Sequence, residues 1–263
     1  MRNILLTLSY DGTNFCGWQR QDHADGKKSV RTVQEEIEKA LEKLHGTHIT
    51  LHGSGRTDSG VHAAAQAANF FSPIDSIPEK NYVQAINALL PRDIRIHDSK
   101  EVPQTFDSRF SATSRVYRYF LCCGQNPLAN QMPYVWYIKK IPDLQKLNDM
   151  ASVLKGEIDC ASFAAAGDQS LSTNRYIENA RFFETEGFPS GRLLVFEIEA
   201  NAFLWKMVRT LTGTFIEFER DGKDRDFFLQ VLNSKDRKAA GVTAPPQGLF
   251  LWQIKFDGIR RHV

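Results

Sequence analysis

The stretch "TVQEEIEKALEKL" (residues 32–44) determines how the first half of the chain is interpreted. Its apolar residues recur every three or four positions, which predicts a helix with one apolar face. These residues are Val33, Ile37, Ala40, Leu41 and Leu44. Thr32 and Glu35 have the spacing of a capping box, in which each side chain binds the other residue's backbone N–H, so Thr32 is the predicted N-cap.

Short apolar runs on both sides of this helix have the character of strands. In the first half of the chain they are "ILLTLSY" (4–10), "ITL" (49–51), "AQAANFF" (65–71) and "DIRIHD" (93–98). A second helix is predicted between the last two runs, with an apolar side of Val83, Ile86, Leu89 and Leu90 and an end at Pro91. The predicted order is therefore strand, helix, strand, strand, helix, strand.

The same order returns in the second half of the chain. Its predicted elements are a strand (115–123), a helix (144–154) closed by Gly156, two strands (176–184 and 193–200), a long helix (202–218), a short helix (226–232) and a last strand (249–256). Two copies of a β-α-β-β-α-β unit predict an α+β fold with two ferredoxin-like halves, residues 1–103 and 104–263. Each half would carry an antiparallel sheet with its helices on one face, and two such sheets side by side would form a cleft.

The composition suits a folded protein without a membrane anchor. Of its 263 residues 42% are hydrophobic, so the chain can bury a sizeable core. No apolar run approaches the ~20 residues that a membrane span needs, and the amino terminus lacks a signal-peptide pattern. We therefore expect a soluble, cytoplasmic protein. The four cysteines lack the spacing of a zinc site or disulfide framework, and a net charge of +2 does not by itself indicate a nucleic-acid partner.

The stretch "GSGRTDSGVHA" (53–63) joins two predicted strands and is rich in functional groups. Its glycines and aspartate would also suit an ordinary turn. The glycine spacing matches neither a dinucleotide fingerprint nor a P-loop, and Ser54 lies in no G-x-S-x-G elbow. His52, Asp58 and His62 have the chemistry of metal ligands but no recognised ligand spacing. We therefore predict no metal site.

What remains is Asp58, two residues after Arg56 on a glycine-lined loop. Burial in a pocket would raise the pKa of an aspartate, so a buried aspartate needs a nearby cation to remain a nucleophile. Arg56 is close in sequence, and Arg209 in "FLWKMVR" (203–209) is a second candidate. On sequence alone, a solvated charge on a helix face is the simpler interpretation of Arg209.

Six blocks of the sequence resemble the tRNA pseudouridine synthase A family, in the family's order. They are "YDGTNFCGWQRQ" (10–21), "GRTDSGVHA" (55–63), "NALLPRDI" (87–94), "FDSRFSATSRVYRY" (106–119), "ANAFLWKMVR" (200–209) and "AGVTAPPQGLFL" (240–251). The resemblance implies isomerisation of uridine to pseudouridine at positions 38–40 of the tRNA anticodon stem-loop, without a cofactor. It also implies two similar α+β halves around a basic cleft, and a homodimer.

Carried over position by position, the resemblance implies a role for each candidate residue. Asp58 matches the catalytic aspartate, and Arg56 matches an arginine that helps to expel the target nucleotide from its stack. Arg209 matches the arginine that pairs with the aspartate. Tyr117 matches the tyrosine that packs on the uracil ring and assists proton removal, and Leu249 matches a pocket residue under the base.

Some positions leave alternatives open within this resemblance. Tyr119 competes with Tyr117 for the tyrosine role, although a packed strand aromatic is the simpler interpretation of Tyr119. The chain departs from the family pattern at "AAQ" (64–66) and in "FERDGKDRD" (218–226), which leaves local loop geometry open but touches no proposed catalytic position.

Two other functions remain possible from the residues alone. A ferredoxin-like sheet can bind RNA without catalysis, in which case Asp58 would be dispensable. A nucleoside or glycoside hydrolase would need a second carboxylate as general acid, and none lies near Asp58 in the sequence. Further RNA contacts are predicted at Arg115, Arg118 and the basic loop "RQDHADGKKSVR" (20–31).

Overall fold

The chain divides into two units that each contain strands and helices. The first unit is Met1–Ala112 with Leu251–Asp257, and the second is Thr113–Phe250 with Gly258–Val263. The computed structural model describes residues 1–21, 30–187 and 191–261. The mixture of helices and strands in both units confirms the predicted α+β class. Among the described residues, no helix is both long and apolar enough to cross a membrane.

Strand β1 is an inner strand of the antiparallel sheet in the first unit. It pairs with β3 on one side and β4 on the other, and β2 pairs with β3. The elements of this unit are β1 (Arg2–Tyr10), α1 (Val33–His45), β2 (His52–Gly53), β3 (His62–Ser72), α2 (Asn81–Asn87) and β4 (Ile94–Val102). The predicted apolar face of α1 is confirmed, because Val33, Ile37 and Leu41 are fully buried.

The second unit contains the sheet order β5-β9-β8-β7, with antiparallel neighbours, and β6 pairs in parallel with β5. Its elements are β5 (Ser114–Cys123), β6 (Trp136–Ile138), α3 (Leu144–Ala151), β7 (Gly156–Asp159), β8 (Asn174–Glu186), β9 (Arg192–Ala200), α4 (Met207–Arg220) and α5 (Arg225–Ser234). The last strand, β10 (Leu249–Lys255), begins in this unit and continues into the first. Aromatic rings fill the core where α4 and α5 pack, with Phe215 in contact with Phe182, Phe196 and Phe228.

The predicted capping box of α1 is wrong. Thr32 is the N-cap, but its hydroxyl makes no capping bond, and within the described residues it is buried without a hydrogen-bond partner. The chain before the helix supplies acceptors instead. The carbonyls of Gly17 and Trp18 accept from the N–H groups of Val33 and Gln34 at 3.2 and 3.0 Å. Backbone acceptors that are distant in sequence therefore replace the local cap.

The strand predicted at 49–51 is also wrong, since β2 covers His52–Gly53. The N–H of Leu51 donates to Glu38 Oε1, and its carbonyl accepts from Gln34 Nε2, both at 3.1 Å. Side chains of α1 thus satisfy the backbone groups that a strand partner would have used. Strand β3 begins at His62, earlier than the predicted residue 65, so the glycine-framed stretch runs directly into the sheet.

One helix ends earlier than predicted, a second changes to a 3-10 turn before its predicted end, and a third begins later. Helix α2 ends at Asn87, whose side-chain amide pairs with the backbone of Ile96 at 2.8 and 2.9 Å. Helix α3 (Leu144–Ala151) continues as a 3-10 turn (Ser152–Leu154), which confirms the helical span predicted to Leu154, and Gly156 then opens β7. The long helix predicted from residue 202 begins at Met207, because the preceding residue has a left-handed backbone with φ 60°.

Candidate active site

The loop between β2 and β3 presents Arg56 and Asp58, with Arg56 exposed and Asp58 half-buried. The intervening residue, Thr57, is buried and held at two points. Its carbonyl accepts from the N–H of Trp18 at 3.1 Å, and its hydroxyl lies 2.7 Å from the hydroxyl of Tyr10. The backbone before Asp58 is therefore fixed against the block that contains residues 10–21.

Two glycines of that block allow the close approach. Gly17 has φ +93°, and a Cβ added there would lie 2.7 Å from the carbonyl oxygen of Thr57. A Cβ added at Gly12 would lie 2.0 Å from the carbonyl oxygen of Val61. Sequence reasoning did not identify these supporting positions, although two glycines within one matched block were a usable signal.

His62 lies in a structural environment. The ring is fully buried, its Nδ1 accepts from the N–H of Gly12 at 2.9 Å, and Nδ1 lies 3.3 Å from Asp11 Oδ1. The ring therefore joins the start of β3 to the turn after β1. In the described parts of the chain, no group of three histidine, cysteine or acidic side chains could hold a metal ion.

Strand β5 carries Tyr117 and Tyr119 in the second unit. Tyr119 is fully buried, and its hydroxyl donates to the carbonyl of Pro245 at 2.7 Å. Burial raises the pKa of Tyr119, an effect that the positive charge of Arg209 partly offsets. This environment confirms Tyr119 as a packed strand aromatic. Tyr117 is 8% exposed, and its ring meets that of Phe203 edge-on at 4.9 Å between centroids.

Arg209 lies on α4 against the segment that leads to β10. Its Nε donates to the carbonyl of Ala244 at 2.8 Å, and the N–H of Ala244 donates to the carbonyl of Arg209 at 3.1 Å. Gly213 permits this approach, because a Cβ there would lie 1.9 Å from the carbonyl oxygen of Val242. Leu249 is buried at the start of β10. Asp58 and Arg56 belong to the first unit, whereas Tyr117, Arg209 and Leu249 belong to the second.

The arginines predicted to contact RNA on β5 have protein partners. Arg118 and Arg181 both pair with Glu197, at 2.7 and 2.8 Å. Burial raises the pKa of Glu197, but the hydrogen bonds from the two arginines outweigh burial and hold it below its usual value. Arg115 donates from Nη1 to the carbonyl of Asn201 at 2.8 Å. Most of the basic loop 20–31 lies outside the described residues.

Comparison with known proteins agrees with the blocks matched in the sequence. A family model described as tRNA pseudouridine synthase matches residues 7–111 and 150–257. The chain is 53% identical over 255 residues to the tRNA pseudouridine synthase A of Treponema denticola, covering 97% of this chain and 93% of that protein. It is 48% identical over 241 residues to that of Treponema pallidum (92% and 84% covered), and 39% identical over 257 residues to that of Brachyspira hyodysenteriae (97% and 99%). The chain therefore belongs to the tRNA pseudouridine synthase family, whose members are isomerases that act on tRNA.

Proposed function

We propose that this tRNA pseudouridine synthase isomerises uridines 38–40 of the anticodon stem-loop, with Asp58 as the catalytic carboxylate. The observation that carries the proposal is the loop around Asp58. Hydrogen bonds from Trp18 and with Tyr10 hold the carbonyl and the hydroxyl of Thr57, whereas Asp58, the next residue, is half-exposed. A carboxylate on a fixed backbone can be held in attack geometry toward a substrate, and such positioning is a large contribution to catalysis.

The reaction makes specific demands on such a site. The bond from ribose C1′ to uracil N1 breaks, the ring turns, and C5 bonds to C1′. The proton on C5 leaves and N1 ends protonated, so no electrons or energy carriers are consumed. Asp58 would begin this sequence by attacking C1′ or C6, or by removing a ribose proton to form a glycal. The detached ring must be held and kept from water until it rejoins the sugar.

Four further residues are proposed to bind the substrate. Tyr117 and Leu249 would contact the faces of the uracil ring, which is consistent with their largely buried positions. Stacking is worth ~1–3 kcal/mol per base and tolerates rotation of the ring. Flipping the target nucleotide out of its stack costs a few kcal/mol. Arg56 is exposed, which suits a side chain that fills the space left by the flipped nucleotide. The guanidinium group of Arg209 would place a positive charge in the substrate site.

We also propose that residues 1–103 and 104–263 are ferredoxin-like halves. The antiparallel order β4-β1-β3-β2 of the first unit supports this proposal, as does the placement of α1 and α2 between its strands in the chain. In the second unit, the neighbours β5-β9-β8 with helices α3 and α4 support it as well. A homodimer and a cytoplasmic location are proposed from family membership.

Transcribed tRNAs with altered uridine positions test the proposed substrate. Each unmodified transcript keeps a uridine at only one of positions 38, 39 and 40 and has cytidine at the other two. The transcripts are incubated with the protein, and pseudouridine is mapped. We expect conversion at each of the three positions, and none in a matched transcript with cytidine at all three. Conversion elsewhere in the tRNA with none at these positions would contradict the proposed specificity, and released uracil would indicate hydrolysis.

A further inference from the structure

The segment that leads into α4 exposes a tryptophan beside a lysine. Trp205 is 46% exposed, and the ammonium nitrogen of Lys206 lies 4.4 Å from the centroid of its ring. Lys206 has φ 60°, a left-handed conformation that is uncommon for residues other than glycine, asparagine and aspartate. Strained backbone of this kind persists only where its surroundings hold it, and it concentrates at functional sites.

Two hydrogen bonds hold the backbone of Trp205. Its carbonyl accepts from the N–H of Ala165 at 3.0 Å, and its N–H donates to the carboxylate of Asp168. Asp168 is held in turn, because its N–H donates to the carbonyl of Ala165 at 3.1 Å. Gly167 lies beside the indole, since a Cβ added there would be 3.9 Å from the ring. The indole is therefore presented on a fixed backbone.

This pair adjoins residues that are proposed above to bind the substrate. Phe203, two residues before Trp205, packs edge-on against Tyr117 with 4.9 Å between ring centroids. Arg209 follows Trp205 by four residues and is fixed through Ala244. The exposed Trp205 and the half-buried Lys206 thus lie on the chain segment between Phe203, which packs on Tyr117, and Arg209.

We propose that Trp205 and Lys206 bind one unpaired nucleotide of the tRNA substrate, with the base stacked on the indole and the phosphate on the ammonium group. An exposed aromatic ring offers a stacking surface to any base, and a lysine beside it complements the charge of the RNA backbone. The proposal rests on tRNA as the substrate and on the roles proposed for Tyr117 and Arg209. The competing explanation is a cation–π pair that only stabilises the fold.

Binding of unmodified tRNA transcript to single variants tests the proposal, because equilibrium binding does not depend on which group performs the chemistry. Trp205→Ala should raise the Kd and KM for tRNA on the order of 5- to 100-fold, while kcat stays within about twofold. Trp205→Phe should keep most of the affinity, since it keeps a ring. Lys206→Gly suits the left-handed backbone and should fold normally. Because one phosphate contact is lost, the fall of log affinity with log salt should become shallower by about 0.7–0.9.

The chain offers a matched control for the cation–π explanation. Lys223 lies 4.5 Å from the ring centroid of Phe227, beyond the other end of α4. Lys223→Ala should leave tRNA affinity and its salt dependence unchanged. The proposal is overturned if Lys223→Ala weakens binding as much as Lys206→Gly, or if Trp205→Ala lowers thermal stability without changing Kd. Unchanged tRNA binding by both Trp205→Ala and Lys206→Gly would also overturn it. This outcome is independent of whether Asp58 is catalytic.

Discussion

Gly17→Ala tests whether the backbone that carries Asp58 must be held in place. The added Cβ would lie 2.7 Å from the carbonyl oxygen of Thr57, and relaxing the pair to ordinary contact at 3.4 Å requires a shift of about 0.7 Å. A misplacement of about 1 Å can cost ~10²-fold in rate, so we expect kcat to fall roughly ten- to a hundredfold. The positive φ of Gly17 adds about 1–2 kcal/mol of destabilisation, which corresponds to a fall in Tm of about 2–8 °C.

Gly46→Ala separates these two effects within the same unit. Gly46 has φ +71°, but a Cβ added there meets nothing within 4 Å. The control therefore carries the backbone cost without the clash, and we expect a similar loss of Tm with unchanged kcat. Steady-state formation of pseudouridine at saturating tRNA transcript measures kcat for both variants. A kcat for Gly17→Ala within about twofold of that for Gly46→Ala would refute the claim that this contact positions the loop.

Two further predictions concern stability. Thr32→Val should leave the free energy of unfolding unchanged or raise it, because the buried hydroxyl has no partner among the described residues. A loss of about 1 kcal/mol in chemical denaturation would instead indicate that the hydroxyl caps α1. Glu197→Gln should destabilise the protein at pH 7. The pKa of Glu197 is lower in the folded state than its usual value of 4.5, so the charged carboxylate stabilises the fold at pH values above 4.5. This stabilisation is lost as the pH falls through the lower folded-state pKa. The difference in Tm between Glu197→Gln and wild type should therefore shrink in acid, and an equal difference at pH 7 and in acid would contradict the pairing with Arg118 and Arg181.

Periodicity was sufficient to predict the elements whose stability is local. The apolar face of α1 and the order of the main strands follow from the spacing of buried side chains. The ends of helices depend on partners that are distant in the chain. Trp18 and Gly17 replace the cap of α1, and Ala165 and Asp168 bind the backbone of Trp205 just before α4, which begins at Met207. Strands β6 and β7 are short additions that no sequence pattern predicted.

The candidate site was predictable to a similar extent. Its glycine-framed loop lies between two strands, as expected, and Tyr119 is packed as expected. The support for that loop was not predictable, since Tyr10 and Thr57 are 47 residues apart in sequence. The partners of Arg118 were also missed, because a carboxylate on β9 meets it only through the pairing of β5 with β9.

The central claim is that Asp58 performs the chemistry, and Asp58→Asn tests it most directly. We measure both the pseudouridine formed on unmodified tRNA and the Kd for the same tRNA. Asp75→Asn is the control, because Asp75 is exposed in the same unit and the substitution causes the same change of charge. We predict that Asp58→Asn binds tRNA with a Kd within a few-fold of wild type and forms no pseudouridine, while Asp75→Asn matches wild type in both. Pseudouridine formation that survives in Asp58→Asn at the rate of the Asp75→Asn control would contradict the account.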